Sequence, residues 1–311
     1  MTVGRGNPNA IGALVKGLVD YAGLFPPAGE SMRTALENYS SYLRGDDRAA
    51  LGRFIVPVSR LGELEEKGDD LLPRDAGSGP WLLSALLAGD AAVGLPEILA
   101  FNGRHSSSAN GKALIDVVEL KATTASEVVH QSASLGDSLT AYFEIPVSGD
   151  VGSLVDAIAG AGRRAKIRTG GVTPDAFPPP EAVVDFIAEC LRARVPFKAT
   201  AGLHHPLRGE YRLSYESGSP TGTMYGYLNV FLAAALLHSG ESRDAALQIL
   251  EESDPSSLVF EGDSLAWRDL RLDAARIRAA REFAISFGSC SFREPIDELA
   301  ALTRTTKNAN Q

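Results

Sequence analysis

The chain has 311 residues, 44% of them apolar and 22% charged, which excludes a disordered, collagenous or membrane-spanning protein. With 30 basic and 39 acidic side chains its formal charge is -9. It therefore lacks the broad basic surface that nucleic-acid binding draws on for phosphate contacts. Cys190 and Cys290 are the only cysteines; two thiols build neither a disulfide framework nor a four-cysteine zinc site.

In chain order, Met1 to Asn9 is polar, with no apolar signal-peptide core. Leu18–Phe25 reads as a first strand and Met32–Leu43 as an amphipathic helix. Arg53–Val58 (RFIVPV) is a second strand, followed by a charged helix over Leu61–Leu72. Trp81–Leu87, Ile115–Lys121 and Thr140–Pro146 give the third to fifth strands, with a helix at Val151–Ala161. Ala165–Thr169 is the sixth strand; the prolines at 178–180 then open a helix that runs to Arg194. Phe197–Gly202 is the seventh strand, Phe283–Ser289 the eighth, and Glu294–Leu302 the last helix.

Such alternation predicts a parallel sheet with helical crossovers. Eight strands favour a closed α/β (β/α)8 TIM barrel over an open doubly wound sheet. Between the seventh and eighth strands lies a long insertion, at about residues 207–270. It holds a Gly/Ser/Tyr-rich loop (Leu207–Thr223), helices at Met224–His238 and Arg243–Glu251, and a hairpin near Val259–Trp267. Its longest apolar run, Val230–Leu237, is too short to span a bilayer. One barrel domain is expected over residues 11–303, with flexible tails at 1–10 and 304–311. The expected location is cytoplasmic.

Active sites of such barrels lie at the C-terminal ends of the strands. Side chains alternate along a strand, so Lys166 and Arg168 share one face, as do Lys198 and Thr200, and Tyr142 and Glu144. The apolar neighbours suit the helix side, which turns the polar set into the barrel mouth. Two inward lysines and an arginine imply a local cationic site. Neighbouring cations and burial free a lysine amine as a nucleophile, and the same charges hold a phosphate or carboxylate. A structural ion pair between Lys166 and Glu144 is the plainer alternative.

Lys166-Ile-Arg-Thr169-Gly170 resembles the sixth-strand K-x-x-T-G of class I aldolases of the deoxyribose-phosphate aldolase type. Lys198-Ala-Thr-Ala201-Gly202-Leu203 is similar to that family's seventh-strand K-A-x-G-G-I, and Phe287-Gly288-Ser289-Cys290-Ser291 to its eighth-strand I-G-T-S-S. Ile115-Asp116-Val117-Val118 resembles its fourth-strand aspartate segment, and Asp20 a further acidic position. The resemblance implies a Schiff base on Lys166, with Lys198 lowering the pKa of Lys166 and Asp116 relaying protons. It also implies substrate-phosphate contacts from the Gly288–Ser291 segment, Ser289 included. Ala201 replaces one glycine of the seventh-strand pair, and His204-His205-Pro206 has no counterpart in that family. Tyr21–Pro27 together with these motifs also resembles a bacterial family of unknown function.

The expectation is therefore a lyase-type enzyme acting on a small anionic carbonyl or phosphorylated compound through a lysine imine, by aldol cleavage, addition or dehydration. Its catalytic candidates are Lys166, Lys198, Asp116 and Glu144. Its substrate-binding candidates are Arg168, Thr169, Gly170, Thr200, His204, His205, Gly288, Ser289 and Ser291. No cofactor, metal, membrane or nucleic-acid partner is expected; a homo-oligomer is compatible with a barrel of this size. A divalent-metal lyase or hydrolase using His204 or His205 with Glu144, Glu119 or Asp20 is one alternative. A non-catalytic metabolite-binding barrel is another.

Overall fold

The computed structural model describes residues 9–309, with side chains through 304. A short helix, α1 (Ala10–Val15), leads into β1 (Val19–Tyr21). Strands and helices then alternate as α2 (Met32–Arg44), β2 (Leu51–Pro57), α3 (Leu61–Gly68), β3 (Trp81–Leu86), α4 (Ala91–Arg104) and β4 (Ala113–Lys121). The series continues through α5 (Ala125–Ser134), β5 (Thr140–Glu144), α6 (Val151–Gly160), β6 (Arg164–Arg168), α7 (Pro180–Arg192) and β7 (Phe197–Thr200). Side-chain oxygens of Ser31, Thr124 and Asp150 cap α2, α5 and α6 by accepting from backbone N–H groups of their first turns. On α7, Val183, Val184, Phe186, Ile187 and Cys190 recur at helical spacing and form its buried face.

Between β7 and the last strand the chain builds more regular structure than its composition suggests. The Gly/Ser/Tyr-rich loop pairs as a hairpin, β8 (Gly209–Arg212) with β9 (Thr221–Met224). Next come α8 (Tyr227–His238), almost wholly buried, and α9 (Arg243–Leu250). The hairpin expected near Val259–Trp267 proves to be a three-stranded antiparallel sheet: β10 (Leu258–Glu261), β11 (Ser264–Trp267) and β12 (Leu270–Asp273). Its third strand follows a tight turn in which Arg268 adopts φ +54°. Finally α10 (Ala274–Phe283) delivers β13 (Ala284–Ser289), and α11 (Arg293–Ala309) ends the described chain.

β13 inserts between β7 and β1 and closes an eight-stranded, all-parallel (β/α)8 TIM barrel of order β1-β13-β7-β6-β5-β4-β3-β2. Of the expected tails, residues 1–8 and 310–311 lie outside the described residues; Asn9 caps α1, and residues 304–309 continue α11. Among the described residues no helix is long and apolar enough to cross a membrane.

β7 is followed by two left-handed residues, Ala201 (φ +64°) and Gly202 (φ +73°). A Cβ on Gly202 would lie 2.8 Å from the Phe177 ring and 3.0 Å from the Gly170 Cα, so the ends of β6 and β7 approach too closely for any larger residue. Ala201 adopts the same conformation with a Cβ that disfavours it. Ala201→Gly is expected to raise the unfolding free energy by about 1 kcal/mol, read from urea midpoints at constant m-value.

Candidate active site

The barrel interior carries a closed set of charges. Lys166 on β6 pairs in register with Lys198 on β7 and with Glu144 on β5, and all three point inward. The fourth-strand partner is Glu119. Its Oε2 lies 2.8 Å from the Lys166 ammonium and its Oε1 2.7 Å from that of Lys198, and it also accepts a 2.7 Å bond from the Ser84 hydroxyl of β3. Glu144 holds Lys166 from the other side at 2.8 Å. Asp20 on β1 sits 2.6 Å from Lys198 and accepts from the Ser286 hydroxyl on β13 (2.8 Å) and the Arg53 N–H (2.7 Å). Gly52 makes room for that carboxylate, because a Cβ there would lie 2.2 Å from the Asp20 Oδ1.

Three carboxylates thus interleave with two ammonium groups, so the expected cationic character is absent. Burial opposes the charge on Lys198, yet Asp20 and Glu119 outweigh it and raise the lysine pKa. Burial likewise disfavours an ionised Glu119, but the two lysines hold its carboxyl far below the usual carboxylate range. The expected repulsion between the lysines is cancelled by the carboxylate that bridges them. Lys198 remains an ammonium, and its nitrogen also lies 5.5 Å from the Tyr142 ring centroid.

Above this cluster opens a cavity of about 1310 Å³. Glu119, Glu144, Lys166, Arg168, Thr200, His204, Gly288 and Cys290 line it, together with an apolar wall that includes Phe25, Pro27, Val58, Leu87, Val93 and Val172. Lys166 is 5% exposed and reaches the cavity, whereas Lys198, at 1%, lies beneath it and is not part of the lining.

Other expected site residues do different work. Asp116 accepts two bonds from the Arg53 guanidinium, at 2.7 and 2.6 Å, and does not line the cavity. The reason is a bulge: Leu83 pairs with Ile115 but Ser84 with Val117, so Asp116 is an extra residue on β4. Alternation restarts after it and aims Glu119 at the lysines. The Thr169 hydroxyl donates to the Thr200 and Ala201 carbonyls, tying β6 to β7. Gly170 packs under Phe177. Ser289 Oγ accepts from the Ser291 N–H, and Ser291 Oγ from the Glu294 N–H, so both serve the turn into α11.

The histidines do not join Glu119, Glu144 or Asp20. His204 Nδ1 lies 3.2 Å from Glu294, and His205 Nδ1 lies 2.9 Å from Glu298 while its ring stacks on Tyr211 at 3.5 Å. Among the described residues, His205, Glu294 and Glu298 have ligand-type atoms within 4.8 Å of one another; none of the three lines the cavity. The sequence pattern offers Glu119 only as a metal ligand and not as the partner of the lysines, because a regular strand that turns Asp116 inward turns Glu119 outward. Asp20 has only a weak motif match in the sequence, and its place in the cluster comes from contacts with distant strands, to Lys198 on β7 and Ser286 on β13. Comparison with known protein families and with curated proteins finds no match to this chain.

Proposed function

We propose that the barrel is a lyase-type enzyme that forms a Schiff base between Lys166 and a small carbonyl compound. The observation that carries this reading is the asymmetry of the two lysines: Lys166 faces the cavity with Glu144 at 2.8 Å, while Lys198 is locked beneath it as an ammonium. Glu144, the more exposed of the carboxylates on Lys166, accepts its proton and frees the amine for attack. The carbinolamine then loses water as Glu144 returns that proton. The resulting iminium takes up the electron pair of a bond at its α-carbon. In cleavage the Cα–Cβ bond breaks as the β-hydroxyl gives its proton to Glu144. In addition or dehydration an α-proton passes to Glu144, and the enamine so formed makes the C–C bond or expels a β-hydroxyl. Glu119, fixed by Lys198 and Ser84, holds the Lys166 nitrogen in place. Arg168, Thr200 and the Gly288 backbone, which line the same wall, suit an anionic end of the substrate.

The likeness of the sixth- and seventh-strand motifs to class I aldolases supports the same assignment of Lys166, with Glu119 rather than Asp116 as the fourth-strand acid. The test is borohydride reduction in the presence of a panel of small aldehydes, ketones and sugar phosphates, followed by peptide mapping. A reduced adduct on Lys166 is expected. An adduct on Lys198 would reverse the lysine roles. No adduct with any compound would remove the imine reading; activity that a chelator abolishes and a divalent ion restores would then favour metal chemistry, and binding without turnover a non-catalytic barrel.

A further inference from the structure

Cys290 and His204 also line the cavity, yet the imine steps use neither. Cys290 follows β13 as the chain turns into α11, and His204 follows β7. The Cys290 sulfur lies 3.9 Å from His204 Nδ1 and 3.8 Å from the Tyr215 hydroxyl. Glu294, in the first turn of α11, accepts a 3.0 Å bond from Tyr215 and sits 3.2 Å from His204 Nδ1. A thiol, an imidazole, a carboxylate and a phenol therefore converge at one edge of the mouth, held by three separate segments. Burial opposes protonation of His204, but the Cys290 sulfur and Glu294 outweigh it and raise its pKa to about 9. In its protonated form the His204 ring, 3.9 Å from the sulfur, stabilises the negative charge a nucleophilic thiol must develop.

We propose that Cys290, with His204 as its proton donor, is a second nucleophilic centre on this cavity and takes small α,β-unsaturated carbonyl compounds by conjugate addition. Sulfur is a soft nucleophile, and the apolar part of the cavity lining (Ala22, Phe25, Val172 among it) suits an uncharged enone. In the step, the Cys290 proton has passed to His204, the C–S bond forms at the β-carbon, and the alkene pair shifts to give an enolate. The imidazolium proton moves to the α-carbon, nothing is oxidised or reduced, and no group leaves. No lysine takes part, so this centre stands or falls separately from the imine reading.

Cys190 supplies an internal reference: it is fully buried in α7, and burial pushes its thiol well above the usual value. Native protein is treated with methyl vinyl ketone, quenched over a time course and mapped by peptide mass spectrometry. Cys290 is expected to be modified at least about tenfold faster than Cys190, and equally in wild type and Lys166→Arg. His204→Gln is expected to slow modification of Cys290 about tenfold or more. Equal rates at the two cysteines, or loss of the adduct in Lys166→Arg, would overturn the proposal. An unchanged rate in a folded His204→Gln would overturn it as well. The wild-type comparison of the two cysteines holds even if the His204 variant does not fold.

Discussion

Glu119→Gln is expected to lower the unfolding free energy by about 3 kcal/mol or more, seen as a shift of the urea midpoint. The replaced carboxylate is 2% exposed and receives two ammonium groups and a serine hydroxyl within 2.8 Å. An amide keeps the shape but offers one acceptor in place of two and turns an N–H toward a cation. Lys166 and Lys198 retain Glu144 and Asp20, so the cluster weakens rather than vanishes. Because folding depresses the Glu119 pKa, its contribution is complete above the unfolded value near ~4.3 and declines as pH falls below it. Wild type and variant are therefore expected to differ most at neutral pH and to converge below about pH 4. Lys198, whose pKa folding raises, stabilises below its unfolded value and loses that contribution only in strong alkali. A variant within about 1 kcal/mol of wild type at pH 7 would mean that the bridge is energetically idle.

Lys166→Arg separates chemistry from architecture. The guanidinium keeps a positive charge between Glu119 and Glu144, and its second nitrogen matches a carboxylate pair. Stability is expected to stay within about 1–2 kcal/mol of wild type. A guanidinium does not deprotonate near neutral pH and forms no imine, so borohydride trapping and any turnover should fall by at least about a thousandfold. Full trapping in this variant would move the nucleophile elsewhere. Loss of both folding and trapping would leave Lys166 as a structural ion-pair member, the plainer alternative.

Much of this architecture is legible in the sequence because barrel strands buried on both faces read as short apolar runs separated by helical spacing. The two lysines are legible for a related reason: a polar residue at every second position of an otherwise apolar strand has only the barrel interior to enter. Glu119 escapes that logic because Asp116 is inserted as a bulge, and a bulge is a pairing property with no local composition to announce it. The net sign of the site escapes it too. Asp20 and Lys198 meet across 178 residues, and no strand-by-strand reading reveals that each ammonium has been assigned its own carboxylate. Between β7 and β13 the strands β8 to β12 are four residues each, too short for alternation to stand out from loop.

The position of β13 has a consequence for how the chain comes together. β1 has β2 on one side but waits for its other neighbour until Ala284–Ser289 emerges. At typical synthesis rates that interval is on the order of tens of seconds. Until then Asp20 lacks the Ser286 hydroxyl, and for much of the time it lacks Lys198. The nascent chain therefore carries an open sheet edge and an unneutralised carboxylate in its first strand. Both are resolved together when β13 slots into the gap. Ring closure and completion of the charge cluster are one event, so a chain truncated before β13 would expose that edge to other chains rather than persist as a smaller stable domain.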